Sequence, residues 1–309
     1  MKIFFQKGFQ KYKMIFDKIP FSIWLGVIGV FGLCWGSFLN VCIYRLPRHG
    51  LRIDRPLFSF CPHCYITLKW YENLPLLSYF LQGGRCRTCR VLIPLRYPLV
   101  ELLTGALLVF LAYRYLQPTS LDWPKMVIYG GFVSALIVCS FVDIDLRIIP
   151  DEIDKTGMLF APVLAAVYPK LHPSPFPMPT LGKAWFGQSP AIQAVLHSLA
   201  GIAAGAGIIW LVAIVGKKIF AKEAMGFGDV KYMGMIGGFL GYKHVLMAFL
   251  IACFLGAFFG IIQKILTKDS YIPFGPFLSI GALSMLFFPH RILHFVFYTY
   301  PQWLKEVAI

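Results

Sequence analysis

The chain has 309 residues, of which 58% are hydrophobic and 17% aromatic against only 14% charged, and its mean hydropathy is +0.69. That composition excludes an ordinary soluble domain and points to an all-α polytopic membrane protein. The net charge of +15 does not call for nucleic acid, because the basic residues lie in loops beside apolar runs, where topology and anionic lipid account for them.

Residues 1–20, MKIFFQKGFQKYKMIFDKIP, are basic, and their lysines interrupt the apolar residues so that no continuous signal-peptide core forms. The segment reads as an amphipathic stretch on the lipid surface. A first membrane helix follows over residues 21–44, since about 20 apolar residues cross a hydrocarbon core of roughly 30 Å.

Residues 45–96 form the one polar module, which holds CPHC and CRTC. Cys61, Cys64, Cys86 and Cys89 make two CxxC knuckles separated by 21 residues, close to the spacing of a closed, structural tetrathiolate zinc site. Metal binding would supply folding energy to a loop too small for much core. Two disulfides are the alternative, and they require an oxidising compartment. His63 is not needed once four thiolates complete the site, and Cys34, Cys42, Cys139 and Cys253 lie in apolar runs as small buried residues. Asn40 and Arg45, at the border of this module, are read either as substrate contacts or as capping and snorkelling groups.

Residues 97–300 form the membrane core. Apolar runs near 97–116, 125–142, 191–215, 244–264 and 276–300 are long enough to span, whereas those near 156–168 and 230–242 are marginal. If both marginal runs cross, the chain has about eight helices. Proline-rich residues 170–190 read as an external linker, and residues 301–309 as a C-terminal tail. Glycine ladders at Gly201 and Gly205, and at Gly234, Gly237, Gly238 and Gly241, suit close helix packing.

With the Cys module cytoplasmic, 17 of the 29 Lys and Arg fall in inside loops; leaving out the five of the N-terminal tail, the ratio is 17 to 7, which favours this orientation. The segment SFVDIDLRIIPDEID (140–154) and Asp229 then emerge on the same side. That requires the marginal run at 156–168 to cross, for otherwise Asp143 and Asp229 would exit on opposite faces. Neighbouring carboxylates share one proton, so that one activates water while the other polarises a carbonyl, which is the chemistry of aspartyl peptide hydrolysis. Spacing alone leaves Asp145, Asp151 and Asp154 as rivals of Asp143. Gly226 and Gly228 would let backbone or an extended substrate approach Asp229. The rival class is a transporter or channel using the same acids as an ion site.

GFGD (226–229), VDIDLRIIPD (142–151), GSFLNVCIYRLP (36–47), the paired CxxC, RYPLVELLTG (96–105) and IPFGPFLSIGA (272–282) occur in an order that resembles the type IV prepilin peptidases over about residues 30–285. The resemblance implies a bifunctional enzyme of the bacterial inner membrane, with its active site facing the cytoplasm. Such an enzyme cleaves the leader of type IV prepilins or type II secretion pseudopilins, then N-methylates the new N-terminus with S-adenosylmethionine. It places the aspartate pair on Asp143 and Asp229, and points to Arg96, Tyr97 and Glu101 for methyl transfer. Glu101 also fits a plain helix-dipole role, and a peptidase without methylation keeps the same fold. Arg90 stands where many relatives carry glycine. No glycine-rich nucleotide fingerprint is present.

Overall fold

The computed structural model describes residues 19–48, 50–117, 120–172, 189–220, 225–267 and 272–307. The expected lipid-surface segment at 1–20 and the linker at 170–190 lie almost entirely outside the described residues. Among the described residues the chain is helical apart from one pair of two-residue strands and three isolated bridges, and it divides into two compact units, residues 1–138 and 139–309.

In the first unit, α1 (Phe21–Arg45) packs against α3 (Arg96–Tyr115). They approach closely because small residues meet: a Cβ on Gly36 would lie 2.6 Å from Glu101 Cα. Between them the polar module carries a 3₁₀ turn, Trp70–Asn73, and the short α2, Leu77–Leu81. After α3 the antiparallel pair β1 (Leu116–Gln117) and β2 (Ser120–Leu121) reverses the chain. Asp122 then caps α4 (Trp123–Leu146), its Oδ1 accepting the Lys125 amide at 3.2 Å and satisfying a donor that a helix start leaves open. The boundary between the units falls inside α4.

The second unit contains the end of α4 and α5 (Asp151–Val167), α6 (Pro190–Phe220), α7 (Phe227–Leu240), α8 (Tyr242–Thr267) and α9 (Gly275–Phe287). Pro150 sets the start of α5, and Asp151, Glu152 and Asp154 fill its first turn, where negative charge complements the helix dipole. Among the described residues five helices are long and apolar enough to cross a membrane: α1, α3, α4, α6 and α8. The expected span at 276–300 differs from a single rod. It breaks after α9, and the following helical stretch from Pro289 turns away by 95°. The cause is local, since proline lacks an amide donor and disfavours the helical conformation in Phe288 before it.

The marginal runs are both helical. At 1.5 Å per residue, α5 and α7 are about 25 and 21 Å long. They run side by side in the same direction: Lys231, near the start of α7, pairs with Asp151 at the start of α5. Gly157 then faces Met235, Gly238 faces Ala161, and His172 beyond α5 lies next to Gly241 beyond α7. This is the shared direction that the two acidic segments need to meet.

α7 is held against α6 backbone to backbone. A Cβ on Gly201 would sit 2.0 Å from Gly237 O, one on Gly237 would sit 2.0 Å from Gly201 O, and one on Gly205 would sit 2.2 Å from Met233 O. The glycine ladder therefore packs helices, as read from the sequence. Gly201→Val is expected to lower the thermal midpoint in detergent sharply or abolish the folded peak, because the clash is with backbone that cannot move aside. Gly207→Ala, whose Cβ meets nothing within 4 Å, is the control expected to leave the midpoint unchanged, and differential scanning fluorimetry checks both.

Candidate active site, metal centre and cavity

Asp143 lies one turn before the end of α4 and is 7% exposed. Its Oδ2 accepts the Gly275 amide at 2.8 Å. Gly275 is the first residue of α9, so the carboxylate sits on the open amide end of a helix, where backbone dipoles favour negative charge. A Cβ on residue 275 would lie 2.8 Å from Asp143 Oδ2 and 3.3 Å from Asp143 Cβ, so any side chain there would push the carboxylate aside.

Asp229 is the third residue of α7 and reaches back to its N-cap, accepting the Gly226 amide at 3.1 Å. This is the acidic half of a capping box. Both carboxylates are thus anchored by helix-start amides, and they lie within electrostatic reach of each other.

One turn behind them runs a buried hydroxyl relay. Ser279 Oγ is hydrogen-bonded to both Tyr232 and Ser140, and also donates to Gly275 O at 3.0 Å. Ser140 is three residues before Asp143, Tyr232 three after Asp229, and Ser279 four after Gly275. The relay therefore fixes the register of the three helices that carry the pair and its amide donor.

The other acids are disposed differently. Asp145 is exposed. Asp151 is bound to Lys155 at 2.7 Å and to Lys231, and these two lysines hold its carboxyl below the usual carboxylate range. Asp154 is wholly enclosed at 0% exposure, beside Cys139, where no peptide reaches it without parting the helices. Gly226 and Gly228 border Asp229, yet neither is demanded by the backbone. Gly226 has φ −75°, and the nearest atoms to added Cβ groups are at 3.6 and 3.5 Å, ordinary contact distances.

In the polar module the four thiols of Cys61, Cys64, Cys86 and Cys89 converge, with all sulfurs within 4.8 Å of one another and Cys61 and Cys89 sulfurs 3.9 Å apart. Ligands about 2.3 Å from one tetrahedral ion stand about 3.8 Å apart, so the cluster fits a metal ion, and none of the four is in a disulfide. The knuckles are copies of one another. The residue after each second cysteine, Tyr65 and Arg90, takes positive φ (56° and 58°), and its amide returns to the carbonyl of the first cysteine. Amides of Cys89 and Thr88 directed at the Cys86 sulfur hold its thiol down at about 7.

Arg45, 3% exposed, closes the module from α1. Its Nη1 and Nη2 donate to the carbonyls of Arg52, Ile53, Pro56 and Phe58 at 2.7 to 3.3 Å. It is a clamp on a loop: of the readings open to it from the sequence, a capping role comes nearest, with the carbonyls of the following loop as its partners.

Between the cysteine site, α1 and α3 lies a cavity whose volume available to water centres is about 160 Å³. Tyr97 and Glu101 line it, as do Asn40, Arg45 and Glu72. Arg96 does not; its guanidinium stands 5.0 Å over the Tyr97 ring.

Two family models match the chain: the bacterial peptidase A24 N-terminal domain over residues 30–115 and the type IV leader peptidase family over residues 130–261. Among relatives, a prepilin leader peptidase/N-methyltransferase of Myxococcus xanthus is 38% identical over 80% of this chain and 64% of its own length. One from Legionella pneumophila is 30% identical over 89% and 94%. A type 4 prepilin-like proteins leader peptide-processing enzyme of Escherichia coli is 34% identical over 88% and 97%. The chain thus spans just under two thirds of the Myxococcus relative and nearly all of the other two. No solved structure matches significantly.

Ser279→Ala removes the hydroxyl that Tyr232 and Ser140 share, and about 1 kcal/mol of stability should be lost. A lowered thermal midpoint in detergent is the expected reading; an unchanged one would remove the relay from the account of the fold.

Proposed function

The chain belongs to the type IV leader peptidase family, and from that premise we propose that it cleaves the leader of prepilin-like substrates and N-methylates the N-terminus so exposed. The clients are type IV prepilins or type II secretion pseudopilins. The protein lies in a bacterial inner membrane, with the polar module and the carboxylate pair facing the cytoplasm.

The observation that carries the peptidase reading is the pairing of Asp143 and Asp229, each held by a helix-start amide and both registered by the Ser279 relay. Two carboxyl groups in one apolar site ionise one at a time. The charged member takes a proton from water as the water oxygen adds to the scissile carbonyl, while the protonated member donates to the carbonyl oxygen. The tetrahedral adduct then expels the amine, which takes up a proton. Gly226 is exposed beside Asp229, on the side from which an extended substrate strand would approach the carboxylate. An ion-site reading of the same acids has no use for the cysteine module or for relatives that are named peptidases.

The four cysteines hold zinc in this reading, as a closed structural ion that ties the two knuckles and leaves no position for substrate. S-adenosylmethionine, when bound, supplies a sulfonium-activated methyl group. The protein's part is to position that methyl against the amine, where positioning provides most of the rate.

The test is to incubate the purified protein in detergent with a prepilin-like substrate and S-adenosylmethionine, and to read product mass. Loss of the leader and gain of one methyl are expected. Asp143→Asn and Asp229→Asn should each reduce cleavage by about a hundred- to ten-thousandfold in protein that stays folded; full activity in either would sink the pair. Gly275→Ala, by crowding Asp143, should cut cleavage at least about tenfold.

Protein kept reduced should carry one zinc per chain by elemental analysis, and Cys61→Ser should release it and lower the thermal midpoint. Metal-free wild type with a normal midpoint would defeat the zinc assignment.

A further inference from the structure

The short helix α2 (Leu77–Leu81) turns its apolar side outward. Leu77, Phe80 and Leu81, at i, i+3 and i+4 and so on one face, are 62, 73 and 83% exposed, whereas Ser78, Tyr79 and Gln82 line the cavity on the module's inner side. We infer that the outward face is seated in the lipid leaflet beside the module, at the boundary of headgroups and acyl chains, and that Arg85 and Arg90 next to it bind anionic phospholipid headgroups. The inference needs α1 and α3 as membrane spans and is independent of the peptidase and methyl-transfer readings.

Depth is the first argument. α3 has 20 residues, about 30 Å, which is no more than a hydrocarbon core is thick, so little of it stands clear of the membrane. Glu101 is five residues past its first residue, Arg96, or about 7 Å along the axis. Its Oε2 accepts the Leu76 amide at 2.9 Å, which fixes the start of α2 beside the second turn of α3. α1 agrees: Gly36, which faces the Glu101 backbone, lies nine residues before the end of that helix at Arg45. An outward face at this level meets lipid rather than open solvent, and helices with one apolar side lie at this boundary.

Continuity and charge are the second. Leu95, Leu99 and Leu102, at i, i+4 and i+7, are all exposed, and the Leu99 amide donates to Leu95 O at 3.1 Å, so the stripe of α3 that faces acyl chains runs on to the module. Just before it Leu92, also exposed, bridges antiparallel to Arg85. Residues opposed in this way send their side chains to the same side. An apolar group and a cation are thus presented together, as at a membrane interface. Residues 45–96 hold nine Lys and Arg against Asp54 and Glu72, an excess that four thiolates around zinc would only partly offset. Arg85 and Arg90 are exposed, and among the described residues no carboxylate pairs with either. The surface complements anionic lipid.

The experiment places the full-length protein in nanodiscs of equal phosphatidylcholine and phosphatidylglycerol, with the photoreactive residue benzoylphenylalanine in place of Phe80. Illumination should give a mass adduct of one phospholipid, as it should when the same residue replaces Leu102, the lipid-facing control. Among adducts at position 80, phosphatidylglycerol should exceed phosphatidylcholine at least about threefold. Arg85→Gln together with Arg90→Gln should bring that ratio close to one while metal content matches the parent protein. On unaltered wild type, a bilayer-soluble carbene probe should label residues 77–81 as it labels α3, a reading that no substitution can disturb.

No lipid adduct at position 80 where position 102 gives one, or a carbene probe that labels α3 and spares residues 77–81, overturns the seating. Equal adducts of the two lipids with both arginines present overturn the headgroup contacts, as does a preference that the arginine substitutions leave unchanged. Adducts at position 80 to a second copy of the chain, or to an added prepilin-like substrate in place of lipid, make the face a protein dock and overturn lipid as its occupant.

Discussion

Asp143 is a carboxylate placed among apolar side chains, and the second unit is arranged around making that tolerable. Burial of an unmatched carboxylate costs several kcal/mol. Its compensation comes from the Gly275 amide and the start of α9 rather than from a cation. For that amide to arrive undisplaced, a small residue 275 helps, α9 must begin there, and α4 and α9 must keep one axial register. Ser279, bonded to α4 through Ser140 and to α7 through Tyr232, sets the register. The contact of α6 and α7 at Gly201 and Gly237, with no side chains between them, holds the helix that brings Asp229.

The first unit uses the same device with the sign reversed. Arg45 is a buried cation met by four backbone carbonyls instead of a carboxylate. By gathering residues 52–58 onto the end of α1 it positions the start of the cysteine module, while Glu101, through the Leu76 amide, ties down its later part from α3. A module with little apolar core is thus fastened at both borders by ionised groups acting on main chain, and in its middle by the convergent thiols.

How much of this the sequence disclosed follows from the kind of partner each residue has. Five of the six strong spans were legible because hydropathy over about 20 residues is a direct reading of the solvent. The cysteine cluster was legible because side chain meets side chain at fixed spacing. α5 and α7 were marginal because 17 and 14 residues are fewer than a bilayer normally needs, and their common direction appears only in contacts across space, from Asp151 with Lys231 at one end to His172 with Gly241 at the other. Asp143 and Asp145 are two residues apart and alike in any pattern; the structure separates them by burial. Arg45, Gly275 and Ser279 were opaque in function, since their partners are backbone groups or hydroxyls of distant helices. A serine within an apolar helix looks like any small residue.

The most instructive charge is Lys231, two residues from Asp229 on the same helix. That spacing turns the two side chains to different faces of the helix, which matters because a carboxylate paired with a cation is a weaker base. Instead the lysine is drawn to Asp151, which also holds Lys155, and its ammonium lies 4.9 Å over the Phe227 ring. Asp151 holds both lysines, and the amides of Gly226 and Gly275 orient Asp229 and Asp143 without a full neutralising charge. In the proposed peptidase reading, a pair anchored by dipoles keeps a proton to share and a charge with which to activate water. One anchored by salt bridges would be two fixed anions, which is a cation site and not a hydrolytic one.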